Sequence, residues 1–155
     1  MNREHHYALS IEWTGNLGTG TSDYRAYTRN HLVSAENKPN ILGSSDPHFR
    51  GDKTRYNPEE MLVASLSSCH MLSYLHLCAV NGVVVIEYKD NATGTMVENP
   101  DGSGQLTEVT LNPVVLVKDS AMISKANELH DQAEKLCFIA RSVNFPVHHK
   151  PTAIS

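Results

Sequence analysis

The chain has 155 residues, 40% of them hydrophobic and 19% charged, which suits one domain with a real core and excludes a disordered chain. Its 13 basic and 17 acidic residues leave a formal charge of −4, and no Lys/Arg run exceeds the small Lys53–Arg55 cluster, so nucleic acid and anionic membrane are excluded as expected partners. The opening MNREHHYALS has no apolar stretch of a secretory signal, and no segment approaches the ~18 apolar residues of a membrane span, so a cytoplasmic location is expected.

Residues 7–13, YALSIEW, and 24–33, YRAYTRNHLV, are β-prone and predict two strands. The Gly/Thr-rich TGNLGTGTSD between them predicts a hairpin turn. Ser34 to Tyr56 is polar and rich in Gly, Pro, Ser and Asp, with room for one short strand near Asn40–Gly43. A loop of that length inside a compact domain is usually functional or disordered.

Asn57-Pro58-Glu59-Glu60 predicts a helix start. Asn57 can cap, Pro58 fits the first helical position, and two carboxylates meet the positive end of the helix dipole. Nothing breaks the helix before Asn81-Gly82, which reads as a left-handed stop. Its apolar residues fall on most sides, the pattern of a buried helix rather than a surface one.

Residues 83–98 predict a strand with a bulge near Gly94. NPDGSG turns it back into an antiparallel partner at 105–118, where Pro113 marks a bulge or an edge. Ser120 is expected to cap a second helix reaching Leu136, with Ile123, Ala126, Leu129, Ala133 and Leu136 on one stripe. CFIARSV (137–143) reads as a helical turn and 145–154 as a last strand. The order, two strands, long helix, two strands, helix, strand, predicts a single α+β domain over residues 1–155.

Three cysteines at irregular spacing do not form a secreted disulfide framework. Cys69 and Cys78 lie nine residues apart on one helix, roughly 13 Å along it, too far for a disulfide, which needs Cα atoms within ~7 Å. Cys78, in the apolar LHLCAV, reads as core filler. Cys69 has Ser67, Ser68 and His70 beside it, mediocre mid-helix residues whose presence suits either a tightly packed face or a site. Cys137 follows a helix end, where amide N–H groups can stabilise a thiolate or the side chain can simply pack. Nine histidines occur without a CxxC, HxxxH or HExxH motif, so no metal and no other cofactor is expected.

Asn57-Pro58-Glu59-Glu60-Met61-Leu62 leading to Ser67-Ser68-Cys69, with Ala133-Glu134-Lys135-Leu136-Cys137 late in the chain, resembles the OsmC/Ohr family of small thiol peroxidases. Trp13, Gly15 and Leu42-Gly43 resemble its N-terminal part, so the similarity runs from about Tyr7 to Val147. The resemblance implies an OsmC-like fold, a long central helix packed on antiparallel sheets in an intertwined homodimer. It also implies a peroxidatic Cys69, a resolving Cys137, and Glu59 as the carboxylate that holds a catalytic arginine. The implied reaction is reduction of organic hydroperoxides, or hydrogen peroxide, through a Cys69 sulfenic acid and a Cys69–Cys137 disulfide that an external dithiol reduces.

Attack needs a thiolate, and a free cysteine ionises near ~8.5, so a guanidinium beside the sulfur is expected. The loop before the helix reads His48-Phe49-Arg50-Gly51, with His48 where relatives carry arginine. Arg50 is the expected partner, Arg55 the second, and His48 an additional site residue. Phe138 stands after Cys137 where many relatives have proline. Glu59 and Cys69 lie ~15 Å apart along the helix, so a composite site across a dimer axis is expected. Met71, Leu72 and Tyr74 near Cys69 point to a substrate with an apolar tail. The alternative reading is a protein of this fold that binds a small hydrophobic ligand, or serves as a stress protein, without turnover.

Overall fold

The computed structural model describes residues 2–155, in two compact units divided at Met61/Leu62. The first is a three-stranded antiparallel meander, β1 (Ser10–Trp13), β2 (His31–Ser34) and β3 (Ile41–Gly43). The first two strands pair as expected, Trp13 opposite His31, but are shorter. The aromatic 24–27 stretch is not strand. Arg29 lies over the rings of Tyr24 and Tyr27, at 4.3 and 4.1 Å, and donates to the carbonyls of both at 2.8 Å. Cation–π and hydrogen-bond contacts together hold these residues in a turn that ladder pairing would have disrupted.

The long helix, α1, spans Pro58–Val80. Asn57 Oδ1 accepts from Glu60 N at 2.8 Å and Glu60 Oε2 accepts from Asn57 N at 3.0 Å, a reciprocal cap. Gly82, at φ 74°, ends it, and Val83 N donates to Cys78 O at 2.9 Å. By length and composition alone α1 could cross a bilayer, a correction to the sequence expectation. It is also not buried all round. Leu66, His70, Tyr74, Leu77 and Cys78 are buried, whereas Leu72 is 63% exposed.

The second unit carries six strands: β4 (Val85–Asp90), β5 (Thr93–Glu98), β6 (Gly104–Leu111), β7 (Pro113–Val117), β8 (Val147–His149) and β9 (Thr152–Ile154). They form two sheets, ordered β4-β7-β9 and β5-β6-β8. The expected long hairpin is therefore real in its pairing but broken into two sheets. The break is stapled by polar groups: Asp90 Oδ1 accepts from Asn112 N at 2.7 Å, and Asn112 Nδ2 donates to Asn91 O at 3.0 Å. The last expected strand breaks too, at Lys150-Pro151, giving β8 parallel to β6 and β9 parallel to β7. Pro113 opens β7, where its missing N–H costs no mid-strand bond. The bulge lies between Thr95 and Met96 rather than at Gly94. Gly94 instead allows β5 to approach α1, since a Cβ there would meet Val63 Cγ2 at 2.8 Å.

The second helix, α2, spans Ile123–Leu136. Its entry is a 3-10 turn, Ser120–Met122, capped by Asp119 rather than Ser120; the Asp119 carboxylate accepts from Ala121 N at 2.8 Å. Ala126, Leu129 and Ala133 are buried as the stripe predicts, but Leu136 is half-exposed. Only Ala140–Ser142 of the 137–143 segment is helical, as a 3-10 turn. One core cluster joins Tyr74, Leu77 and Cys78 to Val115, Val117, Ala126, Leu129 and Ala133. A second joins Leu66 to Val109 and Leu111. The architecture is α+β, with a long helix and antiparallel pairing dominating the sheets.

Candidate active site

The second unit brings Cys69 and Cys137 together. Cys69 lies mid-α1 and is partly exposed; Cys137 caps the C-terminus of α2 and is 1% exposed. Both are free thiols, and they lie close enough for Cys69 to perturb the ionisation of Cys137. Burial first, then the neighbouring Cys69 thiol, pushes the Cys137 thiol up to about 11, against the opposing pull of the Ala140 N–H, which donates to its sulfur at 3.4 Å. Cys78 is buried in the apolar core beside Tyr74, and burial raises its thiol above the ordinary range, the environment of an inert packing residue.

The polar residues around Cys69 have structural partners. Ser67 Oγ donates to Asp90 Oδ2 at 2.5 Å, tying α1 to the strand break. Ser68 Oγ donates to Ala64 O at 2.8 Å, one turn back along the helix. His70 is buried and pairs with His130 of α2, Nε2 to Nδ1, at 3.0 Å. Sequence reasoning missed His130 and His149 as its neighbours. The available signal was a histidine beside the apolar stripe of α2, next to Leu129.

Tyr74 does not face a substrate. Its ring is wholly buried and its hydroxyl donates to Ala126 O at 3.1 Å. An open, largely apolar groove of about 550 Å³ is instead lined by Leu72 and His76, one and two turns from Cys69, and by Lys135, Leu136, Phe138 and Arg141 around Cys137. Phe138 is 80% exposed.

The first unit holds the other expected residues. His48-Phe49-Arg50-Gly51 forms a tight turn after Asp46, whose carboxylate accepts from His48 N at 2.8 Å and contacts His48 Nδ1 at 2.7 Å. These bonds hold the Asp46 carboxyl below its ordinary range. Arg50 adopts the left-handed conformation, φ 63°, and is exposed. Arg55 is partly buried and ion-pairs with Asp52 at 3.8 Å, with its Nη1 buried and without a hydrogen-bond partner. Glu60 is committed to the helix cap, whereas Glu59 makes no ion pair among the described residues. No cluster of three or more metal-ligating side chains with metal-site geometry occurs among the described residues.

Residues 51–151 match the family model described as OsmC-like protein. The chain belongs to that family. A solved OsmC-like protein of unknown function from Vibrio cholerae is similar at 30% identity, with a TM-score of 0.86 over 96% of this chain and 99% of that one. An organic hydroperoxide resistance protein from Elizabethkingia anophelis shares the fold at 18% identity and a TM-score of 0.67, over 97% of this chain and 98% of that one. The uncharacterized protein YmaD of Bacillus subtilis is 24% identical over 144 residues, 90% of this chain and 87% of its own length.

Proposed function

We propose that this OsmC-like protein is a thiol-dependent peroxidase that reduces organic hydroperoxides. The observation that carries the reading is the pair of free thiols, one partly exposed and one buried, brought close together by two helices. The partial exposure of Cys69 supports giving it the first attack. Its thiolate displaces alkoxide from the O–O bond, a proton completes the alcohol, and a sulfenic acid remains. The Cys137 sulfur then attacks that sulfenic sulfur, expelling water and closing a Cys69–Cys137 disulfide. An external dithiol restores both thiols by exchange. The name of the Elizabethkingia relative supports the substrate class.

Arg50 is proposed as the guanidinium that favours the Cys69 thiolate, because Arg55 is already held by Asp52. Glu59 is proposed to hold that arginine, in a homodimer whose sites are composite. Mixed dimers of Cys69→Ser and Glu59→Ala chains should then recover part of the activity. Absence of recovery at every mixing ratio would count against shared sites. Free thiols suit a reducing compartment, and the cytoplasm is the proposed location.

The apolar groove lined by Leu72, Leu136 and Phe138 supports a second reading, a binding protein for a small hydrophobic ligand without turnover. Consumption of cumene hydroperoxide with dithiothreitol separates the two. The peroxidase reading expects one peroxide reduced per dithiol oxidised over many cycles. Saturable binding of the hydroperoxide with no thiol consumed would establish the second reading instead.

A further inference from the structure

Three histidine rings from three elements meet inside the second unit, and the peroxide chemistry above uses none of them. His70 comes from α1, His130 from α2 and His149 from β8. The His70 ring lies 5.3 Å from that of His130 and 4.4 Å from that of His149, centroid to centroid. Tyr74 stacks on His130 at 3.9 Å.

Proton counting shows why this cluster is precarious. A neutral imidazole has one N–H and one lone pair. Whichever ring donates between His70 Nε2 and His130 Nδ1, one outer nitrogen is left as a donor and the other as an acceptor. Those outer atoms, His70 Nδ1 and His130 Nε2, are buried and have no partner. An added proton would turn both nitrogens of one ring into donors and place a charge in a buried, stacked environment.

The surrounding groups do little to offset that charge at the centre of the cluster. Glu134 Oε2 of α2 reaches His149 Nδ1 at 3.6 Å, and Asp131 of α2 acts on both His130 and His149. Asp90 of β4 acts on His149 but is tied to Ser67 and Asn112. His148, next on β8, opposes a charge on His149. Tyr74 of α1 and Tyr88 of β4 are held neutral, since burial raises both phenols. Burial accordingly pushes His70 down to about 3 and His130 down to about 4. His149, whose side chain is 10% exposed, is the ring of the cluster with an ion-pair partner, Glu134.

The same helices carry the thiols. Cys69 precedes His70 on α1, and Cys137 caps α2 two turns beyond His130. We propose that His70, His130 and His149 form an acid-operated latch on the thiol pair. Neutral, they hold α1 against α2 with Cys69 facing Cys137; protonated, they part the helices and keep the two thiols from joining. The latch deepens the dithiol reading and rests on it for its use.

Diamide tests the latch without peroxidase activity, because it takes two hydrogens from a neighbouring thiol pair and leaves a disulfide. The rate of Cys69–Cys137 closure is measured from pH about 7.5 to about 4 and divided by the rate of Cys69 alkylation at the same pH, which removes the thiolate's own dependence. The ratio should fall about tenfold or more between pH about 6 and about 4, with β1–β3 amide protection retained. His130→Gln, which removes one titrating ring from the cluster, should make the fall in the ratio shallower. If that variant does not fold, His149→Gln should move the fall to lower pH. In the wild type, the His70 and His130 ring resonances should shift together with the fall. A fall shared unchanged by these variants, or rings that titrate while α1 and α2 amide protection stays constant, overturns the latch. Diamide closure with no peroxide reduction would instead sink the peroxidase reading and leave the latch standing.

Discussion

The thiols of Cys69 and Cys137 lie close enough to perturb one another, although one lies mid-α1 and the other caps α2. Their environments differ in the direction a two-step mechanism needs. The partly exposed Cys69 sulfur is open to a peroxide, and the buried Cys137 sulfur lies against Cys69 and the Ala140 N–H.

Burial pushes Cys137 up to about 11, so near neutral pH it is protonated. Its thiolate fraction rises about tenfold per pH unit below that value. The closing step, sulfenic acid to disulfide, should therefore accelerate from neutral pH upwards. Stopped-flow measurement of closure after a single equivalent of hydroperoxide checks this; a rate independent of pH from about 7 to about 9 would contradict it.

Acid stability follows from the histidines. Their folded values lie below the ordinary 6.5, at about 3 for His70 and about 4 for His130. The unfolded chain therefore takes up more protons as pH falls. Their contribution is present above pH 6.5 and is lost on acidification, down to about 4 for His130 and about 3 for His70. Each histidine adds a slope of about 1.4 kcal/mol per pH unit within its own range. Urea midpoints should show this slope, reduced by about one histidine's share in His130→Gln.

Tyr74→Phe removes the buried hydroxyl that donates to Ala126 O, a carbonyl of α2, and with it one core hydrogen bond between the two helices. A loss of about 1–2 kcal/mol in unfolding free energy is expected, with the initial oxidation of Cys69 unchanged. A Tyr74→Phe variant of full stability but impaired oxidation would return Tyr74 to the substrate side.

Arg50→Gln should slow Cys69 oxidation by about tenfold or more, the loss expected when a thiolate gives up a guanidinium partner. Arg55→Gln should act mainly on stability, because it breaks the Asp52 pair and removes a partly buried guanidinium. The reverse pattern would transfer the role to Arg55.

Local chemistry made α1 legible. Asn57, Pro58 and Glu60 set its start and Gly82 its end, through contacts within a few residues. The hairpin partners were legible from turn residues. What was not legible depended on distant side chains. The switch of both hairpin arms between sheets rests on Asp90 reaching Asn112. Asp119 displaced Ser120 as a cap by a carboxylate contact one residue earlier than the periodicity suggested. The helix-wide apolar pattern of α1 promised burial that the chain gives to one face only. At the site, the family resemblance implied Cys69 and Cys137 as a pair, whereas the contacts of His70 with His130 and His149 join residues with no shared motif.

The most direct measurement is disulfide mapping by mass spectrometry after one equivalent of cumene hydroperoxide is added to the reduced protein. The peroxidase account predicts a Cys69–Cys137 bond, with Cys78 still free and no bond in Cys69→Ser. Thiols that stay reduced under excess hydroperoxide would contradict it.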